Sequence, residues 1–193
     1  MTARNHRRKS QQQNPIVFMA VGLFFIGIAI LLLALPNEHS DADSGTEQYS
    51  SVPALVSFSA PELSLENING KTESLADYRP NVVLVNNWAT WCPPCKAEMP
   101  VLETYYEDHS KEGFMIIAVE AGDAKEPVSQ FAQEYHLEFQ VWLDPTTSSL
   151  KAFGNGNLPN SYVIDRSGTV RYTWTGQVSR AVLEKYVTPL LTE

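Results

Sequence analysis

Cys92 and Cys95 are the only two cysteines of the chain, and they sit in the string Trp88-Ala89-Thr90-Trp91-Cys92-Pro93-Pro94-Cys95-Lys96. Two intervening residues allow the sulfurs to close into a disulfide within one helical turn, so the pair can cycle between dithiol and disulfide. The preceding run Val82-Val83-Leu84-Val85, bounded by Pro80-Asn81, has the pattern of a strand buried on both faces. The following stretch, Pro93 to His109, carries Cys95, Met99, Leu102 and Tyr106 at helical spacing, with Pro100 expected to kink it. Cys92 then stands at a helix N-terminus, where free N–H groups and the positive end of the dipole stabilise a thiolate. Cys95 lies one turn deeper. A Cys92 thiolate would attack a disulfide and Cys95 would resolve the mixed disulfide; the reverse sequence oxidises a dithiol.

Other uses of the two thiols fit less well. A structural zinc site needs four ligands, and His6, His39, His109 and His136 are scattered. His109 and His136 read as solvated helix-end residues. A surface disulfide staple has no need of a strand–helix junction. Copper delivery remains open, because thiolates suit Cu(I), but Met99 is the only nearby supplementary ligand and a helical Met more often fills core space. A peroxide-reducing enzyme would use a peroxidatic cysteine without this tight pairing. No metal ligand set is expected, and no cofactor beyond the redox-active pair itself.

Further elements must hold the motif in place. Ala54 to Leu65 shows a weak apolar alternation, and Asn69-Gly70 after it is a hairpin signal. Leu75 to Tyr78 reads as one helical turn stopped by Pro80. Phe114 to Val119 and Phe139 to Leu143 read as strands, with an amphipathic helix carrying Val128, Phe131, Ala132 and Tyr135 between them. Thr146 to Phe153 is a short helix. Ser161 to Ile164 and Val170 to Trp174 are strands joined at Asp165-Arg166-Ser167-Gly168, a turn that places Gly at positive φ. Ser179 is the expected N-cap of a last helix bearing Val182, Leu183, Tyr186 and Val187. The sum is an α/β fold: a strand pair, three parallel-type strands, and a closing hairpin, with helices on the faces.

The chain has 193 residues and a formal net charge of −8, but the first fifteen carry Arg4, Arg7, Arg8 and Lys9 and no acid. The remainder is strongly acidic, which argues against nucleic acid as a partner. Residues 16–35, Ile16 to Leu35, form a 20-residue run without a charged or hydrogen-bonding side chain. As a helix that run is roughly 30 Å long, the thickness of a bilayer core. It is longer than the apolar part of a cleavable signal peptide, so residues 16–35 are expected to be an uncleaved anchor. The basic residues 1–15 would lie in the cytoplasm and the body outside. Residues 36–52 carry only acids among their charges and read as a flexible tether to a domain at 53–193.

The stretches VLVNNWATWCPPCKAEMP and LPNSYVIDRSGTVRYTWTG resemble the thioredoxin-like proteins of TlpA and ResA type, which are membrane-anchored bacterial thiol–disulfide oxidoreductases. The resemblance covers the whole body. It implies a thioredoxin-like fold with an N-terminal β-hairpin extension and a helix–strand insert at residues 120–145. It implies that Cys92 and Cys95 form the redox disulfide, and that Glu98 is a partly buried acid tuning them. It implies a cis Leu158-Pro159 peptide beside the disulfide, presenting backbone groups to an extended substrate. Trp91, Pro93, Leu158 and Pro159 would form the docking surface. Asn86 departs from ordinary thioredoxin, which has a buried Asp there, and Asn87 replaces the usual Phe of this family's string. Asn cannot titrate, so Glu98 is the nearest candidate proton acceptor for Cys95. Relatives of this type mostly reduce protein disulfides outside the cytoplasmic membrane, often in apocytochrome c, with electrons from a membrane thiol transporter. A disulfide-forming oxidant is the alternative direction.

Overall fold

The computed structural model describes residues 51–192. The expected basic segment 1–15, the membrane span 16–35 and nearly all of the tether 36–52 lie outside the described residues. Among the described residues no helix is long and apolar enough to cross a membrane.

Eight strands form one sheet: β1 (Ala54–Ser59), β2 (Ser64–Asn67), β3 (Thr72–Ser74), β4 (Val82–Trp88), β5 (Phe114–Ala121), β6 (Gln140–Asp144), β7 (Asn160–Ile164) and β8 (Thr169–Thr175). Their spatial order is β1-β8-β7-β4-β5-β6-β2-β3. The neighbours β4, β5 and β6 run parallel, and every other pairing is antiparallel. Among the described residues five α-helices accompany the sheet: α1 (Pro93–His109), α2 (Lys125–Glu134), α3 (Ser148–Ala152), α4 (Arg180–Tyr186) and α5 (Thr188–Leu191). The helix and strand expected within 120–145 are α2 and β6. Helix α1 runs through Pro100 to His109.

The expectation for residues 54–65 needs correction. That stretch divides, and its two parts go to distant places in the sheet. The first, β1, pairs with β8 at one edge, Ala54 opposite Thr173. The second, β2, makes the Asn69-Gly70 hairpin with β3 and borders β6. Within the turn, Asn67 Oδ1 accepts from the N–H groups of Asn69 and Lys71 at 3.0 and 3.1 Å, and Gly70 takes φ +85°. At the second hairpin Gly168 has φ +88°, as its position predicts, and the Arg79 guanidinium occupies the place a Cβ would take.

The reason β4 is apolar throughout its first half is now plain. Val82 and Leu84 face one core, with Met99, Leu102, Tyr105, Phe131 and Leu183 from the helices. Val83 and Val85 face a second core with Leu63, Leu75, Ile117, Trp142 and Tyr162. Both rows are fully or almost fully buried. Alternation therefore serves two interiors and leaves no polar face. The C-terminal ends of the parallel strands β4 and β5 meet the loop that carries Cys92, the place where open α/β sheets build their sites.

Leu84→Ala leaves a cavity under α1 in the most central strand, so it should lower unfolding free energy by about 2–5 kcal/mol. Urea denaturation of the purified chain measures this; a loss below about 1 kcal/mol would show that the site relaxes or is not central.

Candidate active site

Strand β4 ends at Trp88, the turn Ala89-Thr90-Trp91 follows, and α1 begins at Pro93. Cys92 is the N-cap, in extended conformation at φ −91° and ψ 107°, and its carbonyl accepts from Lys96 N–H at 3.1 Å. Cys92 and Cys95 are joined in a disulfide with Cα atoms 5.3 Å apart. Pro93 and Pro94 have no N–H to offer. Of the first three helical residues only Cys95 brings a backbone donor to the N-cap, so a Cys92 thiolate would rest on that N–H and on the helix dipole. Cys92 is 4% exposed and Cys95 is completely covered. An incoming thiolate therefore meets Cys92 first.

The surroundings of Cys92 are apolar and open. Trp91 is 65% exposed, and Pro93 and Pro94 are exposed beside it. Leu158 is half-buried against the same apolar cluster that holds Cys92 and Cys95. The Leu158–Pro159 peptide is cis, and Pro159 is buried. Strands β4 and β7 pair with Asn87 opposite Asn160, so Pro159, one residue earlier, lies beside the end of β4. Met99, the supplementary copper ligand considered from the sequence, is fully buried in the core.

Glu98 is also fully buried. Asn86 Nδ2 donates to its Oε1 at 2.9 Å, and the Val178 N–H donates to its Oε2 at 3.2 Å. Loss of hydration outweighs these two bonds and pushes its pKa up to about 8. A group of this kind exchanges protons near neutrality. The role of Asn86 follows from the same contacts. Its Nδ2 donates also to Ser161 Oγ at 3.0 Å, and its Oδ1 is buried without a partner. Nδ2 suits a carboxylate, and rotation of the amide would offer Oδ1 to a protonated Glu98. Asn86 does not titrate but can serve both states of the acid that does.

Several participants escaped the sequence reading. Ser161 and the Val178 N–H reach Glu98's surroundings from β7 and from the loop before α4, and no local pattern marks them. Glu120, at the end of β5, did carry a signal: it is an acid inside an otherwise apolar strand. It is fully buried, its Oε2 accepts from Asp123 N–H at 2.9 Å, and its Oε1 has no partner. Burial first, and the neighbouring Asp123 second, push its pKa up to about 8. Asp123 in turn accepts a hydrogen bond from Thr90 Oγ1, two residues before Cys92. Asn87 does not lie under α1. It sits on the opposite face of the sheet, where its side chain bonds Asn160 and Ser149.

Both buried acids hold protons in the fold that they release in the unfolded chain, where carboxyls titrate near their ordinary values. Stability should thus be greatest below pH ~4.5 as far as these two groups are concerned, and should fall as pH rises to about 8. Glu98→Gln and Glu120→Gln should each flatten that fall, measured as the urea midpoint between pH 4.5 and 9. A slope unchanged by both substitutions would show that neither proton is held.

Residues 56–173 match the AhpC/TSA family. The thiol–disulfide oxidoreductase ResA of Geobacillus thermodenitrificans is 34% identical over 160 residues, covering 83% of this chain and 90% of that protein. ResA of Bacillus subtilis is 34% identical over 128 residues, 66% of this chain and 72% of its own. A crystal structure of a thiol:disulfide interchange protein of the thioredoxin family from Chlorobium tepidum superposes with a TM-score of 0.64 at 27% identity, over 72% of this chain and 99% of that one. The chain belongs to the AhpC/TSA family, with a thioredoxin-like fold, as a thiol–disulfide oxidoreductase of the ResA type.

Proposed function

We propose that this protein is a membrane-anchored reductant of protein disulfides on the outer side of the cytoplasmic membrane, with apocytochrome c before haem attachment as its client. The single observation that carries the reading is the Cys92–Cys95 disulfide at the start of α1, with a buried Glu98 one helical turn beyond Cys95. The anchor rests on the apolar run 16–35 and its basic leader. A membrane thiol transporter is the matching electron source, because a domain outside the membrane has no direct access to cytoplasmic reductant.

In the reduced protein the Cys92 thiolate attacks one sulfur of the client disulfide. That S–S bond breaks, a Cys92–client disulfide forms, and the first client sulfur leaves as a thiolate and takes a proton from solvent. Cys95 then loses its proton to Glu98, in the minority of molecules that carry Glu98 ionised at neutral pH, and attacks Cys92 Sγ. The mixed disulfide breaks, the Cys92–Cys95 bond forms, and the second client sulfur leaves and is protonated in turn. Two electrons pass from protein to client, and the dithiol's protons are accounted for by Glu98 and solvent. Trp91, Pro93, Leu158 and Pro159 supply an apolar bed for the extended client segment around the reacting sulfurs.

Equilibration with dithiothreitol or glutathione buffers should give a reduction potential near or below about −220 mV; a value near about −120 mV would make the protein a disulfide donor. Cys92→Ser should abolish reduction of insulin, and Cys95→Ser should accumulate a mixed disulfide. Insulin reduction surviving in Cys92→Ser would end the dithiol-exchange reading.

Glu98→Gln removes the carboxyl whose pKa is pushed up to about 8, so the pH profile of thiol alkylation in the reduced protein should lose its dependence on that ionisation. An alkylation profile identical to that of the unaltered protein would assign Glu98 to the fold alone.

A further inference from the structure

The segment Gly154-Asn155-Gly156-Asn157-Leu158-Pro159 has little packing of its own. A Cβ at Gly154 or Gly156 would meet nothing within 4 Å, Asn157 is exposed, and Leu158 is only half-buried. Glycine and asparagine give such a segment high conformational entropy. Its ends are tied by Asn155 N–H to the Leu150 carbonyl at 3.0 Å, Asn155 Nδ2 to Thr175 Oγ1 at 2.8 Å and Gly176 N–H to the Pro159 carbonyl at 2.7 Å. A line of buried amides adds the tie to β4. Asn160 Nδ2 donates to the Asn157 carbonyl at 2.6 Å and reaches the Asn155 carbonyl at 3.4 Å. Asn160 Oδ1 accepts from Asn87 Nδ2 at 2.8 Å. Asn87 Oδ1 accepts from Ser149 Oγ at 2.6 Å, and Asp144 Oδ2 takes the Ser149 N–H at 2.7 Å. Asn87, Asn160, Ser149 and Asp144 are all fully buried.

We propose that Asn87 and Asn160 are positioning residues for client binding: the amide pair fixes the Asn155–Pro159 segment to β4, the strand that also carries Cys92, and so sets the place of Leu158 relative to the disulfide. The inference rests on the protein-disulfide reading above. A side chain at position 87 that cannot donate a hydrogen bond would leave Asn160 Oδ1 buried and unpaired, and the Asn160 amide that carries the Asn157 carbonyl would lose its anchor on β4. A client that lies along Leu158-Pro159 needs that anchor. A small disulfide that only touches Cys92 does not. The pair thus acts on recognition of extended chains and not on the sulfur chemistry.

The test compares insulin with 5,5′-dithiobis(2-nitrobenzoic acid) as oxidant of the reduced full-length chain in mild detergent. Asn87→Ala and Asn160→Ala should each raise KM for insulin about five- to tenfold with kcat within about twofold. Their rates with the small disulfide should stay within about twofold, and the double variant should be little worse than Asn160→Ala alone, because that substitution already breaks the Asn87–Asn160 bond. Hydrogen–deuterium exchange should quicken at residues 153–159 while β4 and β7 stay protected. If Asn87→Ala does not fold, Asn87→Ser, too short to reach Asn160, takes its place. An unchanged insulin KM in folded variants would overturn the proposal, and so would equal losses with insulin and the small disulfide, which would place the effect at the cysteines. Insulin left untouched by the unaltered protein, with the small disulfide still consumed, would remove the protein-disulfide reading and this inference with it.

Discussion

The end of strand β4 has to meet two demands at once. It must stay buried on both faces, and it must deliver a reactive thiol to a helix N-terminus. The first half of the strand meets the burial demand with Val82, Val83, Leu84 and Val85, which divide between two cores. The last turns of pleat cannot, because Asn86 and Asn87 are polar and fully covered. An unpaired buried amide is costly, so each must find partners from other elements. Asn86 finds Glu98 and Ser161 on the α1 face, and Asn87 finds Asn160 and Ser149 on the other. Much of the site depends on how those two amides are satisfied.

The consequence on the α1 face is electrostatic. Glu98 is placed where water cannot reach it, and one side-chain amide and one backbone N–H donate to it. That is enough to hold its geometry but not enough to hold its charge at neutral pH, so burial governs its ionisation. The consequence on the opposite face is mechanical. There the amides carry no charge, and their bonds run through Asn160 to a glycine-rich segment beside the disulfide. One strand end therefore separates two tasks, proton handling on one side and shape on the other.

The helix start adds a restraint of its own. Proline at both of the first two positions of α1 fixes the backbone and withholds two N–H donors that a thiolate would otherwise use. With the disulfide closed, Cys95 is sealed and Cys92 keeps a sliver of surface amid exposed Trp91 and Pro93. Steric access thus orders the two sulfurs before any difference in their acidity is considered.

Local chemistry made much of this legible in the sequence. The Cys-x-x-Cys spacing, the buried-strand run before it and the span of α1 from Pro93 to His109 depend on neighbours along the chain, and residues near in sequence fix them. So do the turn at Gly168 and the hairpin at Asn69-Gly70, where backbone conformation selects the residue type. Other features depend on which strands lie side by side, a long-range matter that no local pattern records. Residues 54–65 look like one weak strand but are split between two edges of the sheet, because β1 finds its partner over a hundred residues away in β8. Asn87 stood out in the sequence as an oddity, and only the pairing of β4 with β7 shows what it touches. The sequence by itself determined that a thiol pair would stand at a helix start above a buried strand; the tertiary structure decided the hydration of Glu98 and the partners of the two amides, because burial and hydrogen bonding between distant elements exist only once the chain has folded.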